Sequence, residues 1–234
     1  MEFTKIQRER AVDAVYQALR RGIVTCLMQP GERLNVYELA NKLGVSLTPV
    51  RSAIQQLATE GLVEIRPRSG TFVASLTAQD VEETFKIRCA LECLAGEDAI
   101  HRTTPRQIRR MKELLRGLRK PIRNEEDRKA HEQNNSELHH IVIQASGNER
   151  LREMYEALNA HIQIVRIHAA EGKWPDRLNE EQSEHEAIVD ALEARDASAL
   201  TAALRKHIFR AKDAMIDALE RLQQPGIATD SLKM

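Results

Sequence analysis

Aromatic side chains are scarce in this 234-residue chain, of which they form only 3%. Proteins that bind single-stranded nucleic acid stack successive bases on aromatic platforms, so the composition argues against that class. Cysteine is also rare: Cys26, Cys89 and Cys93 are the three in the sequence, and no CxxC pair occurs. A small, odd number of cysteines predicts reduced thiols and a cytoplasmic location. Cys89 and Cys93 lie four residues apart and would share one helix face. We interpret them as small core residues, with a redox or metal role as the alternative.

The chain also lacks long apolar runs. No stretch of about 18 apolar residues occurs, so no contact with a membrane is expected. The start, MEFTKIQRER, has no apolar region of the kind that a signal peptide carries, so none is expected. Hydrophobic residues form 42% of the chain and charged residues 30%, which fits a protein with substantial cores, and the length suits two domains.

The formal net charge is zero, so composition alone does not indicate a nucleic-acid partner, but the charges are unevenly distributed. Residues 1–75 hold ten Lys or Arg and seven Asp or Glu, which leaves 25 and 28 for the rest of the chain. A basic amino-terminal part and an acidic remainder fit a DNA-binding head on a body that does not contact phosphate.

The head is organised around residues 38–70, ELANKLGVSLTPVRSAIQQLATEGLVEIRPRSG. The pattern predicts a helix capped by Asn35, a turn at Gly44, a second helix capped by Ser46, and a hairpin with the turn RPRSG. A further helix is expected before it, over about residues 4–26. Its predicted buried stripe is Val12, Val15, Tyr16, Leu19, Ile23 and Leu27.

A short helix pair with a polar outward face, followed by a basic hairpin, is the layout of a winged helix-turn-helix that enters a DNA groove. Val50, Ile54 and Leu57 are expected to form the buried face of its second helix. Arginine pairs with guanine or phosphate, and basic wing residues enter the minor groove or hold phosphates. The residues expected to contact DNA are Ser46, Thr48, Arg51, Ser52, Arg66, Arg68 and Gly70.

After the hairpin the sequence has no further strand signal. The pattern predicts six helices joined by short loops, which is typical of an antiparallel bundle. They are expected at about 78–100, 105–118, 124–146, 149–171, 179–195 and 197–223. The predicted fold is therefore mainly α, with a winged head and an all-helical body. The predicted domains are a head at 1–75, a linker at 76–78, a body at 79–223 and a flexible tail at 224–234.

Histidines collect in the body. His139 follows Asn135 by four residues, so both side chains share one helix face, and His185 and His207 lie on two other predicted helices. A pair at this spacing with single ligands from facing helices can build a metal site in a bundle core. Three imidazoles and one amide oxygen suit zinc, nickel or another borderline divalent ion. By spacing alone, ordinary core or surface histidines are the favoured interpretation.

A metal site in such a body leaves an alternative function open, a metal-dependent hydrolase fused to a DNA-binding head. His131-Glu132 and His185-Glu186 begin like the HExxH motif, but Asn135 and Val189 stand where its second histidine is needed. No other catalytic signature occurs, so an enzyme is not expected. A purely architectural DNA protein does not account for a body twice the size of its head.

Two sets of motifs resemble known families. The run PGERL…ELANKLGVSLTPVR…GLVEIRPRSGTFV resembles the GntR family of bacterial transcription regulators. The runs IRCALE, NNSELHHIVIQASGN, EHEAIVDALEARD and AALRKHI resemble the FCD ligand-binding domain of its FadR subfamily, and the six-helix body is more similar to the VanR-type branch. The resemblance implies a homodimeric regulator, with repression as the expected action, on a pseudo-palindromic operator.

The resemblance also implies a small organic-acid effector bound beside a divalent metal, with zinc as the first choice. The implied metal ligands are Asn135, His139, His185 and His207, where the family usually has Asp at the first position. A neutral amide leaves the site more positive and strengthens its attraction for an anion. Leu47 replaces an arginine that relatives often carry in the recognition helix, so specificity should rest more on Thr48, Arg51 and the wing.

Two arginines are candidates for the effector carboxylate. Arg88 lies in the Arg-x-x-Leu-Glu run and either pairs with an acid, as arginine does in bidentate fashion, or forms an ion pair with Glu92 four residues later. The sequence does not separate these two roles. Arg166, which lies among apolar residues, is the second candidate.

Overall fold

The computed structural model describes residues 9–169 and 178–223, with side chains from 11 to 167 and from 180 to 221. The predicted start of the first helix near residue 4 and the predicted flexible tail lie outside these residues. In chain order the described elements are α1 (Glu9–Val24), β1 (Arg33–Leu34), α2 (Val36–Leu43), α3 (Leu47–Thr59), β2 (Val63–Arg66), β3 (Gly70–Val73), α4 (Ala78–Arg102), α5 (Pro105–Leu118), α6 (Glu125–Ala145), α7 (Glu149–Ala169), α8 (Leu178–Ala194) and α9 (Ala197–Gln223).

The described chain forms two compact units. The first takes the residues up to Thr77 together with Gln163–His168 of α7, and the second takes the remainder, beginning at Ala78. These units do not test the predicted domain bounds at 75 and 79, which stay a prediction. Within the described residues, no helix combines the length and apolar character needed to cross a membrane.

The caps of α2 form as the sequence predicts, whereas the cap of α3 does not. The Asn35 side chain accepts hydrogen bonds from the N–H groups of Tyr37 and Glu38, and Gly44 ends α2 in the left-handed region with φ 65°. Ser46 precedes α3, but its side chain makes no capping hydrogen bond. A cap bonds the second or third N–H of the helix, and the third residue of α3 is Pro49, which has no N–H.

A three-stranded antiparallel sheet completes the head, with strand order β1-β3-β2. The predicted hairpin is confirmed, with Glu64 opposite Phe72 and Ile65 opposite Thr71. Its turn places Arg68 at φ 65° and Gly70 at φ 130°. Strand β1 also pairs with β3, with Leu34 opposite Thr71, and the sequence pattern did not predict this pairing.

The buried stripe of α1 is confirmed at Val15, Leu19 and Ile23, which are at most 3% exposed. Leu27 was predicted to belong to it, and that prediction is wrong, because Leu27 is 81% exposed. The helix ends at Val24, and Cys26 then adopts φ 54°, so the helical periodicity is lost before Leu27.

The six predicted helices of the body are α4 to α9, which confirms a mainly α fold with an all-helical second part. Helix α4 packs on α9 and α6, and α9 also packs on α8. Cys89 and Cys93 are buried thiols of α4 with their sulfur atoms 3.9 Å apart. Burial and the neighbouring Cys89 raise the pKa of the Cys93 thiol to about 12, which supports their interpretation as core residues.

Candidate functional site

Three histidines from three helices of the second unit meet in its core. His139 of α6, His185 of α8 and His207 of α9 are each at most 1% exposed, and each offers a ring nitrogen within 4.8 Å of the others. Their ring centroids are 4.4 Å apart for His185 and His207 and 5.0 Å apart for His139 and His207. The fold therefore brings together three of the four residues predicted to bind a metal.

Two carboxylates determine which nitrogens of this cluster face inward. Nδ1 of His139 lies 2.7 Å from Glu92 Oε2, and Nδ1 of His207 lies 3.0 Å from Glu184 Oε2. A carboxylate accepts a hydrogen bond, so these contacts favour the tautomer in which each Nδ1 carries the proton and each Nε2 keeps its lone pair. The two Nε2 atoms lie 3.2 Å apart. Two nitrogens about 2.0 Å from one tetrahedrally coordinated zinc ion are separated by about 3.3 Å, so this pair fits such an ion.

Asn135 supplies a second indication that a cation fits here. It lies one helical turn before His139, is 2% exposed, and its Oδ1 atom has no hydrogen-bond partner among the described residues. A buried amide oxygen without a partner costs about 1–3 kcal/mol, a cost that a bound cation would remove. Three imidazoles and an amide oxygen are donors that zinc, nickel and similar divalent ions accept.

An arginine lies behind each of the two carboxylates. Arg88 donates from Nε to Glu92 Oε1 at 2.7 Å, and Tyr155 donates its hydroxyl to the same oxygen at 3.1 Å. Burial acts to raise the pKa of Glu92, but its contacts with His139 and Arg88 outweigh burial and hold that pKa well below its usual range. Arg210 donates from Nε to Glu184 at 2.7 Å.

Sequence reasoning missed Glu92 and Glu184 as partners of the histidines. Glu92 lies 47 residues from His139, and Glu184 lies 23 residues from His207. No spacing rule within one helix connects such residues, and only the packing of the helices does. The ion pair between Arg88 and Glu92, one of the two alternatives for Arg88, is present. Arg166 is 4% exposed and lies in the part of α7 that groups with the first unit.

The recognition helix has the expected two faces. Val50, Ile54 and Leu57 are buried. Thr48 and Arg51 are exposed, as is Ser46, whereas Ser52 is half-buried. Of the DNA contacts predicted here, Ser46, Thr48 and Arg51 are therefore open to a partner, and Ser52 is open only in part.

The two arginines of the wing differ in their contacts. Arg66 donates to Glu64 at 2.7 Å, and its guanidinium lies 4.7 Å from the centre of the Phe72 ring. Arg68 is exposed at the turn and makes no ion pair within the described residues. A side chain at Gly70 would approach Arg33 Nε within 3.1 Å, so glycine provides both the backbone angle and the space there.

Comparison with known families matches both parts of the chain. The model for bacterial regulatory proteins of the gntR family matches residues 11–73, and the FCD domain model matches residues 83–210. The chain belongs to the GntR family. Its FCD domain fits the FadR subfamily, and a GntR-family head of this kind makes the chain a DNA-binding transcriptional regulator.

Relatives of this GntR-family chain cover most of its length. It is 34% identical over 152 residues to the uncharacterized HTH-type transcriptional regulator YdhC of Bacillus subtilis, covering 65% of this chain and 68% of YdhC. It is 30% identical over 194 residues to the HTH-type transcriptional repressor RspR of Escherichia coli K12, covering 83% and 84%. These names are consistent with a protein that is not an enzyme.

A solved structure agrees with the fold. Escherichia coli McbR/YncC superposes with a TM-score of 0.75 at 23% identity, over 89% of this chain and 98% of that one.

Proposed function

We propose that this GntR-family regulator is a cytoplasmic homodimer that senses a small organic acid at a divalent metal held in its FCD domain. The observation that carries this proposal is the pair of inward Nε2 atoms of His139 and His207, 3.2 Å apart, beside the unpartnered amide oxygen of Asn135. The proposed domains are a DNA-binding head at 1–75, a linker at 76–78 and an effector domain at 79–223. Six described helices in the body support the VanR-type branch.

The proposed metal ligands are Asn135, His139, His185 and His207, and zinc is the ion that best suits them, with nickel as the alternative. A divalent ion at this place would supply positive charge and open coordination positions for a carboxylate. Because Asn135 is neutral, the ligand set leaves that charge uncancelled, which favours an anionic effector. Arg166 is a buried arginine proposed to help to bind it, and the buried Arg88 is proposed to strengthen that binding from its place beside the metal site.

The proposed output is a change in operator affinity. Two copies of α3 would occupy successive major grooves about 34 Å apart. Thr48 and Arg51 would face the bases. The rest of the proposed contact surface is Ser46, Ser52, Arg66, Arg68 and Gly70. An acid alters operator binding only if it binds two arrangements of the dimer with unequal affinity. We take repression as the default action, because the name of the relative RspR describes a repressor.

A thermal-shift experiment with four acids tests this function. Lactate, succinate, gluconate and benzoate represent the acid classes that the site chemistry leaves open. A ligand that binds the native state raises the melting temperature by mass action. We expect at least one acid to stabilise the zinc-loaded protein, and we expect a chelator or His139→Ala to abolish that shift. The matched control is His140→Ala, because His140 is half-buried and rotated about 100° from His139 on the same helix.

Two results would contradict the proposal. One is that no acid among the four stabilises the zinc-loaded protein. The other is that the stabilisation survives both chelation and His139→Ala.

A further inference from the structure

We propose that Glu92 and Glu184 are positioning residues that make His139 and His207 present Nε2 to the metal, and that Arg88 acts through Glu92 rather than on the acid. This inference rests on the metal site of the proposed function. It goes further by assigning roles to residues that are not themselves metal ligands.

The first of two similar side-chain series runs from α4 to α6. Arg88 Nε donates to Oε1 of Glu92 at 2.7 Å, and the other oxygen of Glu92 lies 2.7 Å from His139 Nδ1. All three side chains are at most 1% exposed. Each oxygen of the carboxylate therefore has its own partner, and Tyr155 adds a third hydrogen bond from α7.

The second series repeats the same order from α8 and α9. Arg210 Nε contacts Oε2 of Glu184 at 2.7 Å and Oε1 at 2.8 Å, and Oε2 lies 3.0 Å from His207 Nδ1. The side chain of Glu184 is 5% exposed and that of Arg210 is 23% exposed. The two series converge where the two Nε2 atoms are 3.2 Å apart.

The repetition has a chemical consequence. A neutral imidazole carries one N–H, and the partner of one nitrogen decides which nitrogen keeps a lone pair. Glu92 and Glu184 both accept from Nδ1, so both Nε2 atoms are left as ligands, and both rings are fixed in orientation. Without the carboxylate, the ring can rotate or carry its proton on Nε2, which cannot then bind a metal. Loss of such a partner lowers metal affinity by about 10–100-fold in known sites.

Arg88 is held in the first series by its hydrogen bond to Glu92. Its Nε is committed to Glu92, and its side chain is 1% exposed. A buried carboxylate needs a compensating charge, and Arg88 supplies that charge to Glu92. This ion pair gives Arg88 a route to the acid through Glu92, His139 and the metal.

The first test replaces each carboxylate by its isosteric amide. Zinc affinity is measured by competition with a chromophoric chelator for Glu92→Gln and Glu184→Gln. The matched control is Glu193→Gln, which removes an exposed carboxylate from an ion pair with Lys112. We expect each of the first two variants to bind zinc at least tenfold more weakly than the wild type, and the control to bind it as the wild type does.

A measurement on the wild type keeps the proposal testable if a variant fails to fold. Long-range ¹H–¹⁵N spectra of the histidine side chains report which ring nitrogen is protonated, and a purely structural carboxylate would not determine this. We expect Nδ1–H for His139 and His207 in the zinc-free protein. The protonated nitrogen being Nε2 in either ring, or zinc affinities within twofold of the wild type in both variants, would overturn the proposal.

The second test separates the two roles of Arg88. Acid affinity is measured by calorimetry at saturating zinc for the wild type and Arg88→Gln, with whichever of the four named acids stabilises the wild type. We expect weaker zinc binding in the variant, but an acid dissociation constant within threefold of the wild type once zinc saturates. A larger loss under saturation, or unchanged zinc affinity, would show that Arg88 does not act through Glu92. A wild type that binds no zinc would instead refute the proposed function itself.

Discussion

Asn135 is the residue that decides the net charge of the proposed metal ligand set. It stands where the family usually has Asp, and its Oδ1 is buried without a hydrogen-bond partner in the described structure. With three neutral imidazoles beside it, the ligand set carries no charge of its own. The two nearby carboxylates are each paired with an arginine, so they do not cancel the charge of a bound cation.

Asn135→Asp should strengthen zinc binding and weaken acid binding. An ionised carboxylate attracts a cation more strongly than an amide does, and the same negative charge repels an anionic effector. We expect on the order of a tenfold change in each dissociation constant, in opposite directions. Chelator competition and calorimetry measure the two, with Asn134→Asp as the neighbouring control. Parallel changes in both constants would contradict the charge argument.

Arg51 is the residue of α3 on which operator recognition should depend most, since Leu47 occupies the place of an arginine common in relatives. Its side chain is exposed, whereas Val50 and Ile54 of the same helix are buried. Arg51→Ala should reduce operator binding by about 1–3 kcal/mol. Gel-shift titration measures this loss. The acid-induced thermal shift should remain, and loss of both properties would mean that Arg51 is structural.

At the scale of elements, local signals predicted more than tertiary contacts did. Cap residues such as Asn35 and Gly44 located helix ends, because they act on the nearest backbone groups. The predicted burial of Leu27 was wrong, because the positive φ of Cys26 ends the helical periodicity before Leu27. The shared helix face of Asn135 and His139 was predictable from helical spacing. The contacts of the histidines with Glu92 and Glu184 depend on how separate helices pack.

The two helix caps of the head should differ in their effect on stability. Asn35→Ala removes two capping hydrogen bonds and should lower the free energy of unfolding by about 1 kcal/mol. Ser46→Ala removes a side chain that makes no capping bond, so the change should stay within about 0.5 kcal/mol. Urea denaturation measures both variants. Equal losses would mean that Ser46 caps α3 in solution.

At the scale of the whole molecule, the two units separate the proposed tasks of reading DNA and sensing an acid. The exposed polar face of α3 belongs to the first unit, and the histidine cluster belongs to the second. One copy of α3 reads only one half-site, so recognition of a pseudo-palindrome needs two chains. The proposed function therefore makes dimerisation part of recognition.

Light scattering should give a particle of twice the 26.6 kDa chain mass, free and bound to an operator with two half-sites. Insertion of five base pairs between the half-sites rotates one of them by about half a turn, and it should abolish high-affinity binding. A stable monomer that binds one half-site with full affinity would contradict the dimer.

The wing described above has a consequence for ionic strength. The charge of Arg66 is offset by Glu64 in the isolated protein, whereas Arg68 makes no ion pair in the described structure. Each phosphate that a protein cation neutralises releases counterions and makes the slope of log affinity against log salt concentration steeper by about 0.9, because affinity falls as salt rises. Arg68→Ala should reduce the steepness of that slope by about one for each subunit, and Arg66→Ala should reduce it less. The two wing arginines, adjacent to the same proline, would then differ in how many ions they displace from DNA.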